Sequence, residues 1–85
     1  MARPLRINVY DGWYHTTARG IERRAIFLGN GYFRHFLELL REMSSRYSVE
    51  VHAYCLLNNH YHLIIRTPEA NVSKAIQWLN VSYSA

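Results

Sequence analysis

Residues 49–67 most restrict the possible fold, because apolar and polar side chains alternate there with a period of two. Residues 49–57 and 60–67 each have the length and alternation of a β-strand. Asn58-Asn59 lies between them, and asparagine tolerates the left-handed backbone of a tight connection. The pattern therefore predicts a β-hairpin, which must bury one face against other elements.

The register of this hairpin depends on the connection. A two-residue turn would pair Leu57 with His60, whereas a longer connection or a bulge would pair Leu57 with Tyr61. We predict the second register, because it collects the apolar side chains on one face. That face would contain Val51, Ala53, Cys55, Leu57, Tyr61, Leu63 and Ile65. The opposite face would contain His52, Tyr54, His60, His62 and Arg66.

One further strand and two helices accompany the hairpin. Residues 13–18 are aromatic and β-branched, which is typical of a strand. Apolar residues at helical spacing predict one helix over residues 33–43 and another from residue 72, with Asn71 as its N-cap. The order predicts an α+β fold, a ferredoxin-like βαββαβ sandwich with an antiparallel sheet and two helices on one face. Its last strand is expected to be missing at a truncated C-terminus or to come from the N-terminal segment.

Length and composition exclude several classes of protein. A chain of 85 residues is long enough for one domain. No apolar run reaches the ~18 residues of a membrane span, and no apolar segment of a secretory signal follows the first basic residues. Cys55 is the single cysteine, so it cannot form an intramolecular disulfide. We expect a reducing, intracellular location and no membrane partner.

The net charge of +4 arises from ten basic and six acidic residues, and nine of the ten basic residues are arginine. The planar guanidinium suits phosphate, and seven tyrosines and two tryptophans supply groups on which bases can stack. This combination favours a nucleic-acid partner. A basic domain with no such partner has the same composition.

The segment His60-Tyr61-His62 is the candidate site. Side chains at i and i+2 of a strand point to the same face, roughly 6.5–7 Å apart, so two imidazoles could bind one metal ion. Histidine suits zinc, manganese and other transition metals, while magnesium usually takes oxygen ligands. Two polar-face histidines with no role are the simpler alternative. We predict that His52 and Asn59 support the pair, and His15 could lie on either face of the first strand.

Beyond these residues, the chain resembles a known family. The runs WYHTTARG, RRAIF, FLELL, VHAYCLLNNHYHLII and TPEANVSKAIQWLN follow one another in this order. Together they resemble the REP-associated single-tyrosine transposases, which are HUH-type single-strand DNA transposases of bacteria. The resemblance covers nearly the whole chain and is strongest at NHYHLII.

The resemblance implies a mobile-element enzyme of DNA transposition that cleaves and rejoins single-stranded DNA beside hairpins. A tyrosine hydroxyl would attack the phosphodiester to form a covalent phosphotyrosine link. His60 and His62 match the positions that bind a divalent metal, magnesium or manganese. The segment bearing Arg19, Arg23 and Arg24 is expected to contact single-stranded or hairpin DNA.

The chain departs from the family at its end. In relatives, the nucleophilic tyrosine and a third metal ligand, Asn or Gln, lie on a later helix, so both are expected beyond Ala85. Residues 1–85 would then be the N-terminal part of a transposase domain. Tyr54, on the predicted histidine face, would have little room to act, and core packing is expected for Tyr61 and helix packing for Tyr83.

Two other functions are consistent with the same sequence. The chain could be a non-catalytic remnant that binds DNA through its arginines, or a protein-association domain with idle histidines. A homodimer would cover an unpaired sheet edge. We expect the protein in the cytoplasm, associated with the nucleoid.

Overall fold

The computed structural model describes residues 8–20 and 24–84. Its elements are β1 (Gly12–Arg19), α1 (Asn30–Tyr47), β2 (Glu50–Leu57), β3 (His60–Thr67) and α2 (Val72–Ser84). The three strands form one antiparallel sheet in the order β1-β3-β2, so the strand that carries the paired histidines is central. The predicted α+β class and the order strand, helix, strand, strand, helix are confirmed.

The core lies between the two helices and one face of the sheet. Alternate residues of β3 point into it, and α1 and α2 contribute apolar stripes at helical spacing. The buried hydrophobic side chains from these three elements are Phe36, Leu40, Met43, Tyr61, Leu63, Ile65, Val72, Ala75, Ile76 and Leu79. Both helices therefore pack on one face of the sheet, as predicted. The other face, here called the open face, is covered by no helix of the described residues.

The predicted hairpin register is wrong. Asn58-Asn59 forms a two-residue turn, so Leu57 pairs with His60 and Leu56 pairs with Tyr61. Leu57, Cys55 and Ala53 consequently lie on the open face rather than over the core. Because β2 is an edge strand whose residues are all exposed or half-buried, burial does not impose the register that we expected.

A β-bulge near the start of β2 reverses which of its side chains face the core. The register shifts between Val51 and Ala53, so Val51 pairs with Ile65 on the core side. His52 lies at this bulge, and its ring contacts Trp13 on the open face. Because of this one extra residue, both ends of β2 pair with β3. Odd-numbered residues face the open face after the bulge, whereas Val51 before it faces the core.

The start of α2 differs from the expected N-cap. Asn71 precedes α2, and its backbone carbonyl accepts a hydrogen bond from the N–H of Ala75. Its side-chain Nδ2 donates to the carbonyl of Tyr47 at 2.8 Å, while Oδ1 is buried without a hydrogen-bond partner. Asn71 therefore joins the start of α2 to the end of α1 instead of capping its own helix with its side chain.

Neither helix of the described residues is both long and apolar enough to cross a membrane.

Candidate metal centre and nucleic-acid interface

His60 and His62 lie side by side on the open face of the central strand. Their ring centroids are 5.0 Å apart, with an interplanar angle of 81°. Between and beyond them, Tyr61 and Leu63 point into the core and are buried. These buried neighbours hold the backbone of the pair in the middle of the sheet, so the two imidazoles share one face as predicted.

Each of the two imidazoles forms a hydrogen bond through Nδ1. Nδ1 of His60 lies 2.7 Å from Oδ1 of Asn59, and Nδ1 of His62 lies 3.0 Å from Nε2 of His15. Since an amide oxygen only accepts, Nδ1 of His60 carries the proton and donates. The lone pair of neutral His60 is then at Nε2. Asn59 thus contacts His60 of the pair.

The contribution of His15 is the feature that sequence reasoning left undecided. β1 pairs with β3 so that Thr17 lies opposite His62 and His15 lies opposite Ile64. His15 therefore reaches His62 diagonally across two neighbouring strands. Side chains alternate along β1, so that Thr16 is buried while His15 and Thr17 are exposed on the open face. This alternation could place His15 on a face of β1, but only the strand order shows that His62 is its neighbour.

The surroundings of His62 favour the neutral form of its imidazole. Burial lowers the pKa of His62 below its usual value of 6.5, and the positive charges that His60, His15 and Arg19 can carry lower it further. A neutral imidazole is the form that binds a metal ion.

Of the predicted arginine segment, Arg19 lies beside this pair. Arg19 is opposite His60 in the β1–β3 register, and Arg19, Gly20, Asn59 and His60 line a pocket of about 210 Å³. Arg24 is exposed after the gap in the described residues. Arg23 lies outside the described residues.

Backbone hydrogen bonds hold both ends of the arginine segment against the turn that precedes His60. Gly20 donates its N–H to the carbonyl of Asn59 at 2.8 Å. The carbonyl of Asn58 accepts from the N–H groups of Ile26 and Phe27, at 2.7 and 3.1 Å. The described ends of this segment therefore adjoin the turn that leads into the histidine pair.

His52 is not brought to the histidine pair. It lies at the other end of the open face, where its ring centroid is 4.5 Å from that of Trp13 and its Nε2 is 2.9 Å from Oε1 of Glu50. Arg66 donates to Glu50 at 2.8 Å and to Asp11 at 2.5 Å. The hydrogen bond from His52, and then the charge of Arg66, lower the pKa of Glu50. This end of the face is a set of paired charges.

Within residues 8–20 and 24–84, no three His, Cys, Asp or Glu side chains are arranged to hold a metal ion together. The two imidazoles of β3 would therefore supply only part of the ligands of a metal ion. Such a set suits a metal whose other positions are taken by water, substrate or residues from elsewhere.

The tyrosines that we considered as nucleophiles lie away from the pair. Tyr54 pairs with Leu63 and so lies on the helix side of β2, which corrects the prediction that it shares the histidine face. Tyr61 is buried and donates to Oδ1 of Asn80 at 2.5 Å. Tyr83 donates to the carbonyl of Ile26 at 2.5 Å, and burial raises its pKa.

Fold and site together define an α+β domain with a histidine pair and Arg19 at one end of its open face. The family described as "Transposase IS200 like" matches residues 8–85. The chain therefore belongs to this family of transposases, enzymes of DNA transposition and mobile elements. No curated protein matches the chain significantly.

A solved structure shares the fold. It is described as a REP-associated tyrosine transposase bound to a REP hairpin, and it superimposes with a TM-score of 0.82 at 19% sequence identity. The match covers 99% of this chain and 52% of that one. This chain thus spans about half the length of its structural relative.

Proposed function

We propose that this chain is the metal-binding half of a transposase that cleaves and rejoins single-stranded DNA at hairpin-associated sites. Membership of the IS200-like family supports a role in DNA transposition. The structural relative is described as bound to a REP hairpin, which supports hairpin DNA as the partner. The proposed setting is the bacterial cytoplasm, at the nucleoid.

The observation that carries the proposal is the arrangement of His60 and His62. The two rings share one exposed face with their centroids 5.0 Å apart, and both form hydrogen bonds through Nδ1. Metal-binding histidines in proteins commonly donate one ring N–H to a neighbouring acceptor, which orients the other nitrogen. The residues present therefore fit a divalent metal, with Nε2 of each imidazole as the ligand atom.

A bound magnesium or manganese ion would polarise the phosphodiester and offset the charge that develops on its oxygens. Nitrogen ligands favour manganese over magnesium, which prefers oxygen. Asn59 holds the His60 ring, and β3 holds the spacing of the pair. These residues contribute orientation rather than proton transfer.

Arg19 and the adjoining basic segment would bind the DNA backbone. Arg19 lines the pocket beside His60, so its guanidinium can donate to a phosphate that also approaches the histidine pair. The turn carbonyls of Asn58 and Asn59 accept hydrogen bonds from Gly20, Ile26 and Phe27, which flank the basic residues. Arg23 and Arg24 would extend the contact along single-stranded or hairpin DNA.

The nucleophile is proposed to come from outside the described residues. Tyr54, Tyr61 and Tyr83 are on the other face of the sheet or engaged with the core. A tyrosine hydroxyl supplied by a further segment would attack the phosphorus, form a phosphotyrosine and release a 3′-OH. The bond energy kept in this ester allows the 3′-OH to reverse the step and rejoin the strand.

The experiment measures binding of a hairpin DNA with a single-stranded flank to the 85-residue chain, with Mn²⁺ and with EDTA. We expect affinity for wild type to fall in EDTA, and His62→Ala to bind as weakly with Mn²⁺ as wild type does without it. His52→Ala is the matched control, because it removes an open-face histidine at the other end of the sheet. It should keep the Mn²⁺ effect.

The other outcomes separate the alternatives. Binding that ignores both Mn²⁺ and His62 would overturn the metal-assisted function and leave a non-catalytic DNA-binding module. Absence of DNA binding by every variant would leave a protein-association domain. A covalent DNA adduct would show that a tyrosine within these 85 residues is the nucleophile, contrary to the proposal.

A further inference from the structure

A third imidazole adjoins the histidine pair. Nε2 of His15 lies 3.0 Å from Nδ1 of His62, and the two ring centroids are 5.2 Å apart at an interplanar angle of 34°. His15 lies on β1 and His62 on β3, so the contact joins strands 47 residues apart in sequence. The two rings meet edge to edge through nitrogen atoms, which is the geometry of a hydrogen bond.

Only one direction of this hydrogen bond leaves His62 able to bind a metal through Nε2. If Nε2–H of His15 donates, neutral His62 is protonated at Nε2, and that atom has no lone pair. If Nδ1–H of His62 donates to Nε2 of His15, the lone pair of His62 is at Nε2. His60 already has the second arrangement, because its partner Oδ1 of Asn59 can only accept.

We infer that His15 is a positioning residue that holds His62 as its Nδ1–H tautomer and orients its Nε2 toward the position shared with His60. The inference rests on the proposed function, since it assigns His15 a part in the same metal site. His15 does for His62 what Asn59 does for His60, from a different strand and with a different acceptor. Each imidazole of the pair thus has its own hydrogen-bond partner at Nδ1.

Other roles for His15 fit the geometry less well. Its Nε2 is engaged by His62, and no group of three ligand side chains is formed within the described residues. His15 is therefore not a third metal ligand through that atom. The residue directly opposite His62 is Thr17, whereas the diagonal position of His15 lets a longer side chain reach the ring nitrogen.

The first measurement is the tautomer of His62, read from the nitrogen-15 shifts of its imidazole at about pH 8, where imidazoles are neutral. No metal is added, so the result does not depend on metal binding. We expect the Nδ1–H tautomer in wild type and in His15→Gln, whose Oε1 can accept the same hydrogen bond. His15→Phe should lose this preference, because its ring accepts no such bond.

The second measurement is Mn²⁺ affinity by electron paramagnetic resonance on the same variants. His15→Phe should weaken binding by roughly 10- to 100-fold, the usual effect of removing a residue that supports a metal ligand. His15→Gln should recover most of that loss. His35→Phe is the matched control, because it makes the same substitution at an exposed histidine of α1; it should leave the affinity unchanged.

Wild-type His62 protonated at Nε2 would overturn the inference by itself, even if His15→Phe does not fold. Equal Mn²⁺ affinity of wild type, His15→Gln and folded His15→Phe would also overturn it. Failure of the proposed function has a different signature. Wild type would then bind Mn²⁺ no better than His62→Ala, while the tautomer result still reports on the His15–His62 hydrogen bond.

Discussion

The carbonyl oxygen of Asn58 accepts a hydrogen bond from the backbone N–H of Ile26 at 2.7 Å. This bond joins the chain just after Arg24 to the turn before His60. Gly20 makes the matching contact at the start of the segment, through the carbonyl of Asn59. The turn and the described ends of the arginine segment therefore form one hydrogen-bonded unit beside the histidine pair.

Gly20→Ala should disturb this unit. A methyl group at Gly20 would overlap the carbonyl oxygen of Arg24, so the backbone of the segment must shift. We expect a loss of about 1–3 kcal/mol in the free energy of unfolding, the range for overpacked sites, measured by urea denaturation. Gly31→Ala is the control. It lies in α1 with no atoms within 4 Å of the added carbon and should stabilise the protein by about 0.5–1 kcal/mol. Equal effects of the two substitutions would contradict the prediction.

Arg19→Gln should weaken hairpin DNA binding by roughly 3- to 10-fold and reduce the salt dependence of log K by about 1, as expected for one lost phosphate contact. Arg66→Gln removes the same charge from the same face, but Arg66 is already paired with Glu50 and Asp11. Its effect on affinity should be much smaller. Titrations by fluorescence anisotropy at several salt concentrations test this, and equal losses for the two variants would contradict it.

Glu50→Gln should reduce the loss of unfolding free energy that the protein shows as the pH becomes acidic. The pKa of Glu50 is lower in the folded protein than its usual 4.5, so the unfolded chain binds the proton more tightly. The stabilisation is present above about pH 4.5 and is lost as the pH falls through the folded pKa. Urea denaturation between about pH 6 and pH 3 measures this, with Glu38→Gln on the exposed face of α1 as the control. If the unfolding free energy of Glu50→Gln falls with pH as steeply as that of wild type, the prediction is wrong.

Tyr83→Phe should cost about 1 kcal/mol of unfolding free energy, because it removes the hydrogen bond to the carbonyl of Ile26 but keeps the ring beside Phe27 and Phe36. Tyr10→Phe removes the same hydroxyl from a side chain that is 74% exposed and should change stability by less than about 0.5 kcal/mol. Thermal or urea denaturation compares them. Equal stabilities of the two variants would show that the Tyr83 hydroxyl contributes nothing.

Local patterns predicted the elements well where burial is one-sided. The apolar stripe containing Phe36, Leu40 and Met43 requires a helix with one buried face, and the structure has it. The β2 register was predicted wrongly for the complementary reason. β2 is a half-exposed edge strand, so exposing Cys55 and Leu57 costs little, and the two-residue turn and the bulge decide the pairing.

The sequence by itself determined the α+β order of elements and the shared face of His60 and His62, because a period of two or 3.6 residues is a property of the local backbone. Only the tertiary structure decided what surrounds that pair. Strand order brings β1 beside β3, which delivers His15 to His62 and Arg19 to His60. It also carries His52 to the opposite end of the sheet, beside Trp13. These contacts join residues far apart in the chain, and no local periodicity encodes which strands become neighbours.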